Sequence, residues 1–393
     1  MSRSVKGFRL AGVSAGIKTN GTLDLALIAA DHPVAAAGVF TRNRVRAAPV
    51  AISEKRLASG VCQALLVNSG NANACTGKQG HADAVALTRG VSRALGLRPA
   101  LVLPASTGVI GAPLPRQTIE AAIPSLVSSL SKKGADVFSR AIMTTDRGPK
   151  VAHASFTQGA TRCRVLGIAK GAGMIHPNMA TTLGFVMTDA SIKSTTLLTT
   201  LRRATEQTFN RATVDGDTST NDSIYALASG EATSRTGGAG ARKFALALEE
   251  VLEALAKMIV ADGEGAEHLV RIEVHGARTD SDAVQIARTI ASSQLVKTAI
   301  HGADPNWGRI LAAAGRSGVR FNPDHVSIRI GAIEIFREGR PTMPPSTEAK
   351  ATRAMGKREY AITVVAGGGR GLGHYWTCDL GHEYVRINAD YRT

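Results

Sequence analysis

The chain has 393 residues, 44% of them hydrophobic, 20% charged and 4% aromatic, and Lys+Arg exceeds Asp+Glu by 47 − 31 = 16. Such a composition belongs to a folded globular chain of two or three structural units and excludes a disordered polymer. The basic residues are scattered and stacking platforms are few, so the charge reads as a surface that collects small anionic substrates, not as a nucleic-acid interface.

In chain order, the N-terminal stretch MSRSVKGFRLAGVSAGIKTN lacks the continuous apolar segment of a signal peptide. No run of about 18 apolar residues follows, so neither a membrane span nor a membrane partner is expected, and the cytoplasm is the expected location. Ala64-Leu65-Leu66-Val67 predicts a buried strand running into the polar turn 68–77, and 81–96 predicts a helix. Leu101-Val102-Leu103 predicts a strand ending in a turn over 104–113, followed by a helix over 116–131 and strands at 163–168 and 183–187. The clearest helix is 241–260, where Phe244, Leu248, Val251, Leu252, Leu255 and Ile259 recur at helical spacing. Beyond it, strands are expected at 270–274, 327–336, 360–365 and 384–387, with a helix near 281–298. The fold expected is α/β (α+β), with layered sheets and helices and a smaller α+β part at the C-terminal end.

Cys62, Cys75, Cys163 and Cys378 lie far apart with no C-x-x-C pair, so neither zinc nor a disulfide framework is expected. The ten histidines form no H-E-x-x-H and the acidic residues no EF-hand loop; nothing asks for a metal. The glycine run GGGRGLG (367–373) misses the G-x-G-x-x-G spacing, and Gly77-Lys78 lacks the rest of a P-loop. There is no G-x-S-x-G elbow for a serine hydrolase.

That leaves threonine. In KGAGMIHPNMATTLGFVMTDA (170–190) a turn and the small Ala180 precede Thr181 and Thr182 at the lip of a strand. A lone threonine is usually a strand residue or a cap. One chemistry nevertheless needs this arrangement: cutting the bond before Thr181 frees an α-amine with a pKa near ~8, able to take the proton of its own Oγ. Ser106-Thr107-Gly108 offers a hydroxyl and backbone N–H groups as oxyanion donors, and Lys170 stands eleven residues before Thr181.

The same segment closely resembles the self-cleavage segment of the ornithine acetyltransferase, or glutamate N-acetyltransferase, family. Seven further segments resemble that family in its order: 68–80, 104–111, 141–146, 209–223, 261–269, 301–310 and 378–393. The sequence is also similar to the family's paralogue in clavulanic acid gene clusters. The resemblance implies a layered N-terminal-nucleophile-type enzyme cut between Ala180 and Thr181. Residues 1–180 would form the α chain and 181–393 the β chain, with about 181–280 completing the nucleophile core and about 281–393 forming the smaller domain. Two such pairs would assemble as α2β2. Thr181 would take the acetyl group from N-acetyl-L-ornithine and pass it to L-glutamate by a ping-pong route, with no cofactor because the amide supplies the acyl group.

Carried over by motif, Thr107 and Gly108 resemble the oxyanion hole. Lys170, Glu264, Asn388 and Thr393 resemble substrate-binding positions, and the position of Arg147 touches substrate in the family. The sequence departs from the family pattern at Arg147, His176 and Thr182, commonly Thr, a small residue and Met. Asp215, Asp217 and Asn221 lie in a polar loop expected to buttress the site. The alternative reading keeps the same threonine with water as acceptor, an amidohydrolase or aminopeptidase.

Overall fold

One long strand organises the first part of the chain. The computed structural model describes residues 4–176, 182–235 and 238–390. Within them the chain divides into two compact units, one of residues up to Asn210 with Asp217–Ile259, the other of Arg211–Gly216 with the residues from Val260 on.

The first unit holds strands β1 (Phe8–Val13), β2 (Leu25–Phe40), β3 (Val61–Asn71), β4 (Val102–Val109), β5 (Lys150–Gln158), β6 (Thr161–Lys170), β7 (Leu183–Ser191) and β8 (Ser223–Arg235). Their order is β4-β3-β2-β8-β7-β6-β5, with β1 also on β2. The first half of β2 pairs with β1 and β3, while its second half, Ala35–Phe40, pairs with β8. Between the halves the register with β3 slips from Ala29 to Val34, and Asp31, His32 and Pro33 are exposed. Proline has no N–H for a ladder, so the strand bends there and the sheet folds onto itself.

The two halves face each other across one core. Leu10, Ile28, Leu65, Val67 and Leu103 from the first half share it with Ile168, Phe185, Met187, Tyr225 and Leu227 from the second. Side chains alternate along a strand, so the neighbouring residues Leu25, Leu27, Ala64, Leu66 and Val102 point the other way. They are covered by α2 (Gly77–Leu95) and α3 (Arg116–Ser128), which follow α1 (Ala48–Leu57). Phe138 of α4 (Ala135–Ala141) plugs the central core edge-on to Phe185, with ring centroids 5.3 Å apart. After α5 (Ser194–Gln207), helix α6 (Gly238–Ala261) lies on the outer face of the second half. Its predicted apolar stripe, Phe244 to Ile259, is buried throughout. A Cβ at Gly167 of β6 would come 2.4 Å from Val251 Cγ1, so the strand has a glycine where the helix presses closest. The result is helix–sheet–sheet–helix, the layered α/β sandwich expected.

The second unit is a six-stranded sheet in the order β12-β11-β10-β13-β9-β14. Its strands are β9 (Leu269–Ala277), β10 (Ser327–Ile330), β11 (Ile333–Arg337), β12 (Arg340–Pro341), β13 (Glu359–Val365) and β14 (Gly371–Cys378). Its helices are α7 (Asp280–Ala291), α8 (Gln294–His301), α9 (Trp307–Gly315), α10 (Pro345–Met355) and α11 (His382–Asp390). Residues 260–280, read from the sequence with the first part, belong here because β9 pairs with β13 and β14. Among the described residues no helix is long and apolar enough to cross a membrane.

Four local readings are corrected. The turn expected from Pro104 is strand to Val109, held by parallel pairing with β3. The helix near 281–298 is two helices broken at Ser292–Ser293, and the strand 327–336 is a hairpin turning at Gly331, where φ is +56°. The strand expected at 384–387 is part of α11. There Asn388 donates to the Tyr384 carbonyl one turn back at 3.0 Å and Arg386 pairs with Glu383 at 2.8 Å.

Candidate active site

In the first unit the site is built where the ends of β4 and β6 meet. Ser106 donates to Asn68 Oδ1 at 2.6 Å, and Asn68 donates to the Asn71 carbonyl at 2.8 Å. Asn221 reaches across from the loop before β8 and donates to the carbonyls of Ala72 at 2.6 Å and Ser106 at 2.8 Å. With these buried amides and hydroxyl satisfied, the backbone on both sides of Thr107 is fixed. Gly108 has φ +127°, and a Cβ there would lie 2.3 Å from the Gly70 carbonyl carbon, so no other residue fits without displacing backbone. A bulge at Gly70–Asn71 interrupts the ladder beside it.

Lys170, the last residue of β6, is nearly buried. Its ammonium donates to Thr144 Oγ1 at 2.7 Å and to Thr107 Oγ1 at 3.3 Å, and stands 3.9 Å from Asp146 Oδ2. Asp146 has no exposed side-chain surface and accepts from Lys150 at 2.7 Å, the Gly171 N–H at 2.6 Å and the Thr144 N–H at 2.9 Å. Burial alone would raise its pKa. The charges of Lys170 and Lys150 and these hydrogen bonds overcome that and hold the carboxyl well below the usual carboxylate range. Lys18 adds a third cation nearby, donating to the Met143 carbonyl at 2.7 Å and the Leu23 carbonyl at 3.0 Å. Burial pushes its pKa down, Asp24 opposes this, and Lys170 adds to it. The result is a cluster of cations beside a hydroxyl and a glycine backbone.

Thr182 immediately precedes β7. Its hydroxyl donates to the Lys170 carbonyl, and its own carbonyl accepts from the Ser223 N–H at 2.9 Å. Beside Ser223, Asp222 is buried, and its Oδ2 has no hydrogen-bond partner among the described residues. Burial pushes that carboxyl well up, against smaller opposing effects of Ser219 and Lys170. His176 is buried, and its carbonyl accepts from Thr218 at 2.8 Å. Ala180, Thr181 and Thr393 lie outside the described residues.

Of the other positions singled out from the sequence, Arg147 is exposed, one residue beyond buried Asp146. In the second unit Glu264 is buried in the turn after α6, and its Oε2 accepts from Asn388 Nδ2 at 2.8 Å. The structure therefore brings together Thr107 with Lys170, and Glu264 with Asn388. Sequence reasoning passed over Thr144, Asp146, Lys150 and Lys18. No local signal set Asp146 and Lys150 apart, because they stand in the polar run TTDRGPK with Arg147 between them.

The ArgJ family model matches residues 9–393. The chain belongs to the ArgJ family. It is 48% identical over 393 residues to the arginine biosynthesis bifunctional protein ArgJ of Geobacter sulfurreducens, covering 99% of this chain and all of that one. A relative of the same name in Thermosynechococcus vestitus is 48% identical over 413 residues, covering 99% of this chain and 97% of that one. Among solved structures, the ArgJ of Bacillus halodurans is 45% identical, covers 53% of this chain and 98% of its own, and has a TM-score of 0.50. The family resemblance carried by the segments around Thr107, Lys170, Glu264 and Asn388 is thereby that of an ArgJ-family chain.

Proposed function

We propose that the protein is an acetyltransferase of arginine biosynthesis that moves the acetyl group of N-acetyl-L-ornithine to L-glutamate. The observation that carries this reading is the Lys170 ammonium on the Thr107 hydroxyl beside Gly108, in a chain aligned end to end with arginine biosynthesis bifunctional relatives. Thr181, freed by cleavage after Ala180, is the nucleophile, and its own α-amine is the base. Its Oγ attacks the acetyl carbonyl, the amide C–N bond breaks, and ornithine leaves with the proton. The glutamate amine then attacks the acetyl ester, and the proton returns to Oγ.

Thr107 and Gly108 stabilise the oxyanion of both steps, and the Lys170 charge strengthens the field there. Arg147, Lys170, Glu264, Asn388 and Thr393 bind the amino-acid substrates. The cut chains remain together as α2β2 in the cytoplasm. Denaturing mass spectrometry tests the mechanism: the wild type separates into 1–180 and 181–393, while Thr181→Ala stays a single chain and transfers no acetyl group. A fully active Thr181→Ala protein would sink the mechanism. If glutamate leaves turnover unchanged from buffer alone, the acceptor is water and the transferase reading falls.

A further inference from the structure

Glu264 sits in a turn whose shape is set from a corner of the second unit that has no role so far. Within the turn, the Gly263 N–H donates to the Val260 carbonyl at 3.1 Å and the Ala266 N–H to the Gly263 carbonyl at 2.9 Å. Gly265 has φ +71°, and a Cβ there would lie 2.5 Å from the Tyr384 nitrogen, so the turn packs tightly on the start of α11. The next two N–H groups, of Glu267 and His268, both donate to Asp379 Oδ1 at 2.8 Å.

Asp379 follows β14 directly and its side chain has no exposed surface. Its second oxygen, Oδ2, lies 2.8 Å from His301 Nδ1, on the last residue of α8. A buried carboxylate holding three donors is rigid, because each bond fixes a direction as well as a distance. The corner is also stapled to α8. The Lys297 ammonium donates to the Cys378 carbonyl and to Thr377 Oγ1 at 3.2 Å, and the Leu380 N–H donates to the Lys297 carbonyl at 3.1 Å. A Cβ on Gly381 would lie 2.4 Å from His301 Cε1, so only glycine lets the imidazole lie against the chain at that point. One residue later α11 begins, and it delivers Asn388 to Glu264 at 2.8 Å.

Both sides of the Glu264 carboxylate thus start from the corner 379–382. We propose that Asp379, oriented by His301, is a positioning residue that sets Glu264 for a substrate ammonium group. This rests on the reading of Glu264 as a substrate-binding residue.

The test is steady-state kinetics of the full-length enzyme with Asp379→Asn, Glu264→Gln and their double variant. Asp379→Asn is expected to raise KM for the amino-acid substrates about tenfold with kcat changed far less, the mark of lost ground-state binding. Added to Glu264→Gln, it is expected to cost little more, because residues acting through one another are not additive. His301→Asn, whose amide N–H stands where Nδ1 faces Asp379, is expected to restore most of the KM lost in His301→Ala. Multiplying effects in the double variant, or equal KM in the two His301 variants, would overturn the relay while leaving Glu264 in place. A Glu264→Gln enzyme of wild-type KM would instead remove the reading on which the relay stands. Should Asp379→Asn not fold, the two His301 variants and Gly381→Ala, expected to raise KM by displacing the imidazole, decide the question.

Discussion

The ammonium of Lys170 donates to the hydroxyl of Thr107 at 3.3 Å, although four strands separate β6 from β4 in the sheet order. They meet because β2 bends and lays one half of the sheet over the other. A cation and a hydroxyl that share no strand neighbours are held close by the whole sandwich, in a setting where charge is weakly screened.

Lys170→Met removes that charge while leaving Lys150 on Asp146. Acetyl transfer is expected to fall by about 100-fold, the scale of losing one preorganised group at a developing oxyanion. Stopped assays of N-acetylglutamate formation measure it, and a wild-type rate would remove Lys170 from the chemistry.

Gly108→Ala forces a side chain into backbone at 2.3 Å and onto a φ of +127°. A loss of about 1–3 kcal/mol is expected from the strain, together with a lower transfer rate as that backbone shifts. Urea unfolding and kcat on the same preparation read both. Unchanged values would mean that the backbone there has slack.

Asp146→Asn takes away the counter-charge of buried Lys150 and nearly buried Lys170. A destabilisation of about 3 kcal/mol at neutral pH is expected. The folded pKa of Asp146 is depressed, so its stabilisation is present above the unfolded value of about 3.9 and is lost as pH falls through the folded one. The gap in urea midpoint between wild type and variant is therefore expected to narrow on acidification below about pH 4. A constant gap would contradict the ion-pair account.

Asp222 has the opposite sign. Its folded pKa is raised by burial, so the stability it permits is complete below about pH 3.9 and declines as pH rises toward the folded value. Asp222→Asn, neutral at every pH, is expected to gain on the wild type steadily as pH rises above about 4, at up to ~1.4 kcal/mol per unit. Parallel stability curves for the two proteins would show that Asp222 ionises freely.

Much of this was legible in the residues. The stripe from Phe244 to Ile259 announced α6 because helical periodicity over 16 residues has few other readings. The apolar run 64–67 announced β3, and Thr107, Gly108 and Lys170 drew attention by their chemistry. Pro104 to Val109 did not look like strand, since proline, serine and glycine read as a turn until β3 is there to pair with them. Tyr384-Val385-Arg386-Ile387 alternates as a strand does, and only its tertiary setting makes it helix. Asp146 with Lys170, and Asp379 with His301, stand 24 and 78 residues apart, respectively. No local pattern encodes such pairs.

The bend at Asp31, His32 and Pro33 has one more consequence. Neither half of the sheet holds both residues, so a chain with only one half in place presents Lys170 without Thr107, or Thr107 without Lys170. If the chain cuts itself as proposed, the cut is also a report on assembly: maturation would wait for the last layer to close, and a misfolded chain would stay silent.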